Sequence, residues 1–168
     1  NLDDGIVIDS RLKSVQIPEG VEVIGINSPF AYQSGIRSVK LPSTLRAVGD
    51  WAFACCTSLV ELDLRGTSVE ECGWCSFAGC TSLVSVRFPE SLYQLGGLSF
   101  AWCRSLVSVS FEGPAPYIYG SAYDGGDGWK WGDWANRIYV DSDFDFKDFT
   151  PDIEHCYIFE MKLTYPRY

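Results

Sequence analysis

Apolar residues along this chain recur at fixed offsets within a unit of 23 to 24 residues. Aligned on a leucine-type residue, the units start at Leu12, Ile36, Leu59, Leu83 and Leu106. Each opens with the kernel apolar-x-x-apolar-x-apolar, written LKSVQIP, IRSVKLP, LVELDLR, LVSVRFP and LVSVSFE in turn. Val21, Leu45, Val69 and Leu92 follow nine or ten residues after each start, and Ile24, Val48, Cys72 and Leu95 three residues later. Gly25, Gly49, Gly73 and Gly96 come next. They are followed by Phe30, Phe53, Phe77 and Phe100, of which the last three have a small residue in front (Ala52, Ser76, Ser99), and then by Cys56, Cys80 and Cys103. One unit cannot bury its own apolar face, so columns in register predict stacked coils that share a continuous core.

The V-x-L and V-x-F alternation of the kernel predicts one short strand per unit, with parallel stacking into one sheet. Pro18, Pro42 and Pro89 stand directly after kernels, where a missing N–H must end the strand. The return segment holds about a dozen residues, room for a single helical turn at most, so the fold class is a mainly β repeat solenoid with loops. Four glycines in phase predict a backbone with positive φ or a close approach to the next coil.

The 168 residues read as a single domain: an N-terminal segment 1–10, repeats over 11–111, and an aromatic C-terminal cap and tail over 112–168. The tail CYIFEMKLTYPRY alternates large apolar and polar residues and predicts a strand. Residues 1–10 must cover the apolar end of the first coil or mark where further repeats were removed.

Composition sharpens this picture. Hydrophobic residues make up 46% and charged residues 21%, which places the chain with folded proteins. A formal charge of -9 disfavours nucleic acid, whose binders need a basic face. No apolar run is long enough to span a bilayer. The opening NLDDG has no leader pattern and no initiator Met, which fits a secreted precursor after trimming or a piece of a longer protein.

Seven cysteines are an odd number, and stacked column mates at about 4.8 Å with parallel Cβ vectors fit a disulfide poorly. Cys56, Cys80 and Cys103 are expected as small buried thiols able to donate weakly to a carbonyl, and Cys72 as core. A cross-link among Cys55, Cys75 and Cys156 stays open.

No cofactor is expected. Cys72 and Cys75 have C-x-x-C spacing without a second pair. The acidic runs DGGDG and DSDFDFKD lack a calcium loop, with Phe146 standing where glycine is required. One histidine, His155, without a nucleophile motif gives no catalytic pair, so the chain reads as a non-enzyme.

The run G-x-x-x-F-x-x-C-x-S-L-x-x-V-x-L-P, as in GDWAFACCTSLVELDL and GGLSFAWCRSLVSVSF, resembles the Treponema-type leucine-rich repeat of BspA-like surface proteins. The likeness covers residues 11 to 149. It extends to the closing RIYVDSDFDFKDF, where Ser142 and Asp145 have capping-box spacing and Phe146 and Phe149 would face inward. Two departures are Arg65 in place of the usual proline and a longer, more aromatic segment over 117–136. The resemblance implies an extracellular or cell-surface protein engaged in adhesion or host-protein binding.

Two surfaces could bind a partner. The first is the outer face of the kernel sheet, with Lys13, Gln16, Arg37, Lys40, Glu61, Asp63 and Arg87 among serines, basic on the first two coils and acidic on the third. The second is the segment YIYGSAYDGGDGWKWGDWANRIY, whose Trp129, Trp131 and Trp134 suit stacking on a glycan or anchoring a protein, or else covering the end of the core. A third reading, a structural spacer in a larger surface protein, needs no ligand.

Overall fold

The computed structural model describes residue 9, residues 11–26, 28–114 and 116–119, and the strand segments 157–158 and 161–164. Among the described residues there are strands and turns but no helix. The chain winds as a succession of short elements, each coil contributing a kernel strand and then a second strand. Kernel strands are β1 (Ser14–Gln16), β3 (Ser38–Lys40), β5 (Glu61–Asp63), β7 (Ser85–Phe88) and β9 (Ser108–Phe111). They pair in parallel as β1 with β3 and as β5 with β7 and β9, while β3 packs beside β5 without a ladder. Proline closes the strand as expected at Pro18, Pro42 and Pro89.

A second row, which the sequence reading does not predict, runs beside the first. Its strands are β2 (Val23–Ile24), β4 (Ala47–Val48), β6 (Glu71–Cys72), β8 (Gln94–Gly96) and β10 (Tyr117–Tyr119), all parallel in one sheet. Registers Val23↔Ala47↔Glu71↔Gln94 and Ile24↔Val48↔Cys72↔Leu95 put the Ile/Val/Cys/Leu column in one line. Both rows continue beyond residue 111, where the sequence reading begins the cap. Tyr117–Tyr119 extends the second row, and β12 (Met161–Thr164) pairs in parallel with β9 on the first. The tail is therefore two strands, because β11 (Tyr157–Ile158) folds back antiparallel on β12.

The return segments close each coil with a third line of bonds. The N–H groups of Trp51, Phe53 and Cys55 donate forward to the carbonyls of Trp74, Ser76 and Ala78 at 3.0, 2.8 and 2.7 Å. The N–H groups between them, of Ala52, Ala54 and Cys56, close local turns onto Gly49, Trp51 and Phe53. This alternation satisfies every backbone donor from 51 to 56, inside the coil or along the axis. Left-handed backbone accompanies it at Tyr32, Trp51, Cys55 and Cys75, whose N–H groups donate forward, and recurs at Leu98 and Trp102, with φ between 53° and 65°. Each non-glycine residue there costs about 1–2 kcal/mol, which the bonds between coils and the surrounding packing offset.

The four phase-locked glycines resolve differently. A Cβ on Gly49 would lie 2.7 Å from the Gly25 carbonyl carbon, and those on Gly73 and Gly96 would meet the backbone of the preceding coil closer still. Close approach of coils is therefore the constraint at Gly49, Gly73 and Gly96.

The core is one continuous cluster. Phe30, Phe53, Phe77 and Phe100 form a buried row of stacked rings, with centroids 5.2, 6.0 and 5.4 Å apart and planes within 15°. Phe88 and Phe111 form a second, shorter stack at 5.3 Å. The thiols of Cys56, Cys80 and Cys103 donate to the carbonyls of Phe30, Phe53 and Phe77 at 3.0, 3.1 and 3.1 Å, tying each coil to the one before. The six described cysteines form no disulfide with one another. Cys156, the calcium-type runs, the Ser142–Asp145 pair and the whole 1–8 segment lie outside the described residues.

Candidate interaction surface

The kernel row fixes the outward side chains in register. Ser14 faces Ser38 and Gln16 faces Lys40 across β1 and β3, while Glu61, Ser85 and Ser108 line up across β5, β7 and β9, as do Asp63, Arg87 and Ser110. Lys13, Gln16, Arg37, Lys40, Glu61 and Asp63 are exposed and Arg87 is half-buried, because the intervening valines and leucines turn into the core. Gln16, Lys40, Glu61, Asp63 and Arg87 thus stand on short parallel strands, and Lys13 and Arg37 directly precede β1 and β3.

Its charges are not equally available. Asp63 receives a two-pronged contact from Arg65, Nε at 2.9 Å and Nη2 at 2.7 Å, and Arg87 stands 3.8 Å away. The Arg65 side-chain hydrogen bonds hold the Asp63 carboxyl below the usual carboxylate range. The arginine that replaces the usual proline therefore engages the acid of the third coil. Lys13 and Arg37 form no ion pair among the described residues, and Lys40 only feels the Glu19 carboxylate at longer range. Glu19 itself is held by the backbone N–H and hydroxyl of Ser43, at 3.1 and 2.8 Å, which pulls its carboxyl below the usual range.

A family model for the BspA type leucine rich repeat region matches residues 5–127 in six copies. The chain belongs to this BspA-type repeat family. The family model finds one copy more than the five units aligned on their leucines. No curated protein matches the chain. Among solved structures, a leucine rich cell surface protein from Faecalibacterium prausnitzii A2-165 is similar at 20% identity and a TM-score of 0.44, over 60% of this chain and 36% of that one. The chain thus spans little more than a third of that protein's length.

The BspA-type coil places further residues on the surface that the sequence reading overlooks. Val60, Val84 and Val107 are exposed and in line, with the Val84 N–H donating to Val60 at 2.7 Å and the Val107 N–H to Val84 at 2.9 Å. They follow the buried leucine of each kernel and so resemble core in a hydropathy profile. Lys13 and Arg37 at the same position of the first two coils are the signal that this column faces outward. On the opposite corner, Trp51 and Trp74 meet edge to face at 6.0 Å and cover a small apolar cluster of Cys75, Ala78 and Ala101. Burial pushes the Cys75 thiol up to about 11 and raises that of Cys55. Trp129, Trp131 and Trp134 lie outside the described residues. Among the described residues no three His, Cys, Asp or Glu side chains gather as a metal cage, and no helix is long and apolar enough to cross a membrane.

Proposed function

We propose that the chain is a non-enzymatic binding module of a cell-surface or secreted protein, recognising a protein partner through the outer face of its kernel row in adhesion or host-protein recognition. One observation carries this reading: Lys40 at the end of β3 and Lys13 and Arg37 directly before β1 and β3 stand exposed and without an ion pair among the described residues, in a chain of net charge -9. A desolvated acidic partner gains from such charges, which also steer its approach. Membership of the BspA-type repeat family supports the extracellular setting. The lone histidine and the lack of a nucleophile motif support a module without catalysis.

The test is a binding screen of the intact chain against a panel of extracellular host proteins, followed by Arg37→Glu/Lys40→Glu on any confirmed pair. The double reversal is expected to weaken binding about tenfold or more, with a steeper loss at low salt. The melting curve should stay in place because both side chains are exposed. Unchanged affinity removes the sheet face from the interaction.

A further inference from the structure

The column that begins with Lys13 changes chemistry along the solenoid. Arg37 follows it, donating its N–H to Lys13 at 2.7 Å; Val60 holds the equivalent repeat position in the third coil, and the N–H groups of Val84 and Val107 carry the line on at 2.7 and 2.9 Å. The three valines are 44%, 37% and 54% exposed, although nothing in their backbone role requires an apolar side chain. The next kernel positions are Glu61, the buried Ser85 and the half-buried Ser108, with Lys162 of β12 in register beside Ser108. The basic end is widened by Lys40 on the same outer face. The acid next in line, Asp63, is already engaged by Arg65 and Arg87.

We propose that this column, Lys13–Arg37–Val60–Val84–Val107, is a docking track for an extended peptide segment of a partner protein that is acidic at one end and β-branched or aromatic at the other. The inference rests on the sheet-face reading above and assigns it a ligand chemistry. Charge complementarity orients the peptide, with its carboxylates over the first two coils and its apolar side chains over the last three. Five coils at about 4.8 Å spacing span roughly 19 Å, the reach of about six extended residues. Such a peptide runs across the strands, so its affinity comes from side chains and not from sheet extension. Burial of the valine methyls contributes in proportion to the area covered, and the basic residues contribute selectivity and rate of encounter.

The test pans a random heptapeptide display library on the intact chain and measures the enriched peptides by fluorescence anisotropy against three proteins: the parent, Lys13→Glu/Arg37→Glu, and Val60→Thr/Val84→Thr/Val107→Thr. Threonine keeps the β-branched shape at these exposed positions just before the strands, so circular dichroism of this variant should match the parent. The expected consensus places Asp or Glu at one end and Val, Ile, Tyr or Phe at the other. Each variant is expected to lose about tenfold in affinity, and only the charge variant to lose its salt dependence. Enriched peptides that respond to Lys13→Glu/Arg37→Glu but not to the valine changes overturn the track while leaving the sheet face in place. A library with no enrichment, or peptides indifferent to both variants, overturns the track; the sheet face then stands or falls on the Arg37→Glu/Lys40→Glu result with a whole protein partner.

Discussion

The thiol of Cys80 donates to the carbonyl oxygen of Phe53, 3.1 Å away and 27 residues back in the chain. The same carbonyl accepts the N–H of Cys56 at 3.3 Å, so the thiol adds a second, weaker bond across the coil boundary. Cys80→Ala leaves a sulfur-sized void beside the phenylalanine row and removes that bond. The expected cost is about 1–2 kcal/mol, read as a lower urea midpoint. Native protein should also leave Cys56, Cys72, Cys80 and Cys103 unlabelled by N-ethylmaleimide at pH 7.5, with labelling only on unfolding. The neighbouring thiols of the cysteine column, and after them burial, push Cys56 and Cys80 well above an ordinary thiol value.

Phe77 is ringed by aromatic neighbours. It stacks on Phe53 and Phe100 and tilts against Phe88 at 6.2 Å. Phe77→Ala is expected to destabilise by about 3–5 kcal/mol, and Phe77→Leu by less, since leucine refills part of the space. Equilibrium denaturation with circular dichroism reads both. A loss below ~1 kcal/mol for the alanine variant would contradict the continuous core.

Two glycines separate steric from conformational cost. Gly49 needs its bareness because a Cβ would enter the backbone of the preceding coil, whereas Gly66 has φ +77° with nothing within 4 Å of a Cβ. Gly66→Ala should cost about 1–2 kcal/mol, the left-handed penalty alone. Gly49→Ala should cost more than Gly66→Ala, because coils must part to admit the methyl. Thermal melts of the two variants give the order directly.

Alkaline pH should weaken the fold. The Cys75 thiol is held at about 11 by burial, while an unfolded thiol titrates near ~8.5. Its contribution is complete below that lower value and declines as pH rises toward 11, because the unfolded chain sheds the proton first. The urea midpoint should fall between pH 8 and pH 10.5, and Cys75→Ala should flatten part of that fall. Asp63 works in the other direction: its carboxyl is held low by Arg65, so its small contribution is present above ~4 and lost as acid protonates it.

The phenylalanine and cysteine columns were legible in the sequence because a buried site in a stack tolerates few side chains, and the same few recur. The kernel strands were legible through V-x-L alternation and the prolines after them. The second row was not, since a two-residue strand such as Glu71–Cys72 carries no periodicity of its own. Nor were the left-handed positions, because Trp51, Cys55 and Trp102 are residues that local preference keeps out of that region. At Trp51 and Cys55 the N–H bonds to the next coil favour it. On the outer face, charges were readable as exposed, but Val60, Val84 and Val107 looked like core until aligned with Lys13 and Arg37.

The register of the rows has a consequence for ancestry. Because Leu59 and Leu83 occupy equivalent places, removal of residues 60–83 would bring Val84 to the position of Val60 with each ring, thiol and glycine still facing its counterpart. Duplication of the same stretch would add a winding just as cleanly. Descendants of such a gene can therefore change length in whole turns, and a change by any other number of residues would set the new turn out of phase with its neighbours.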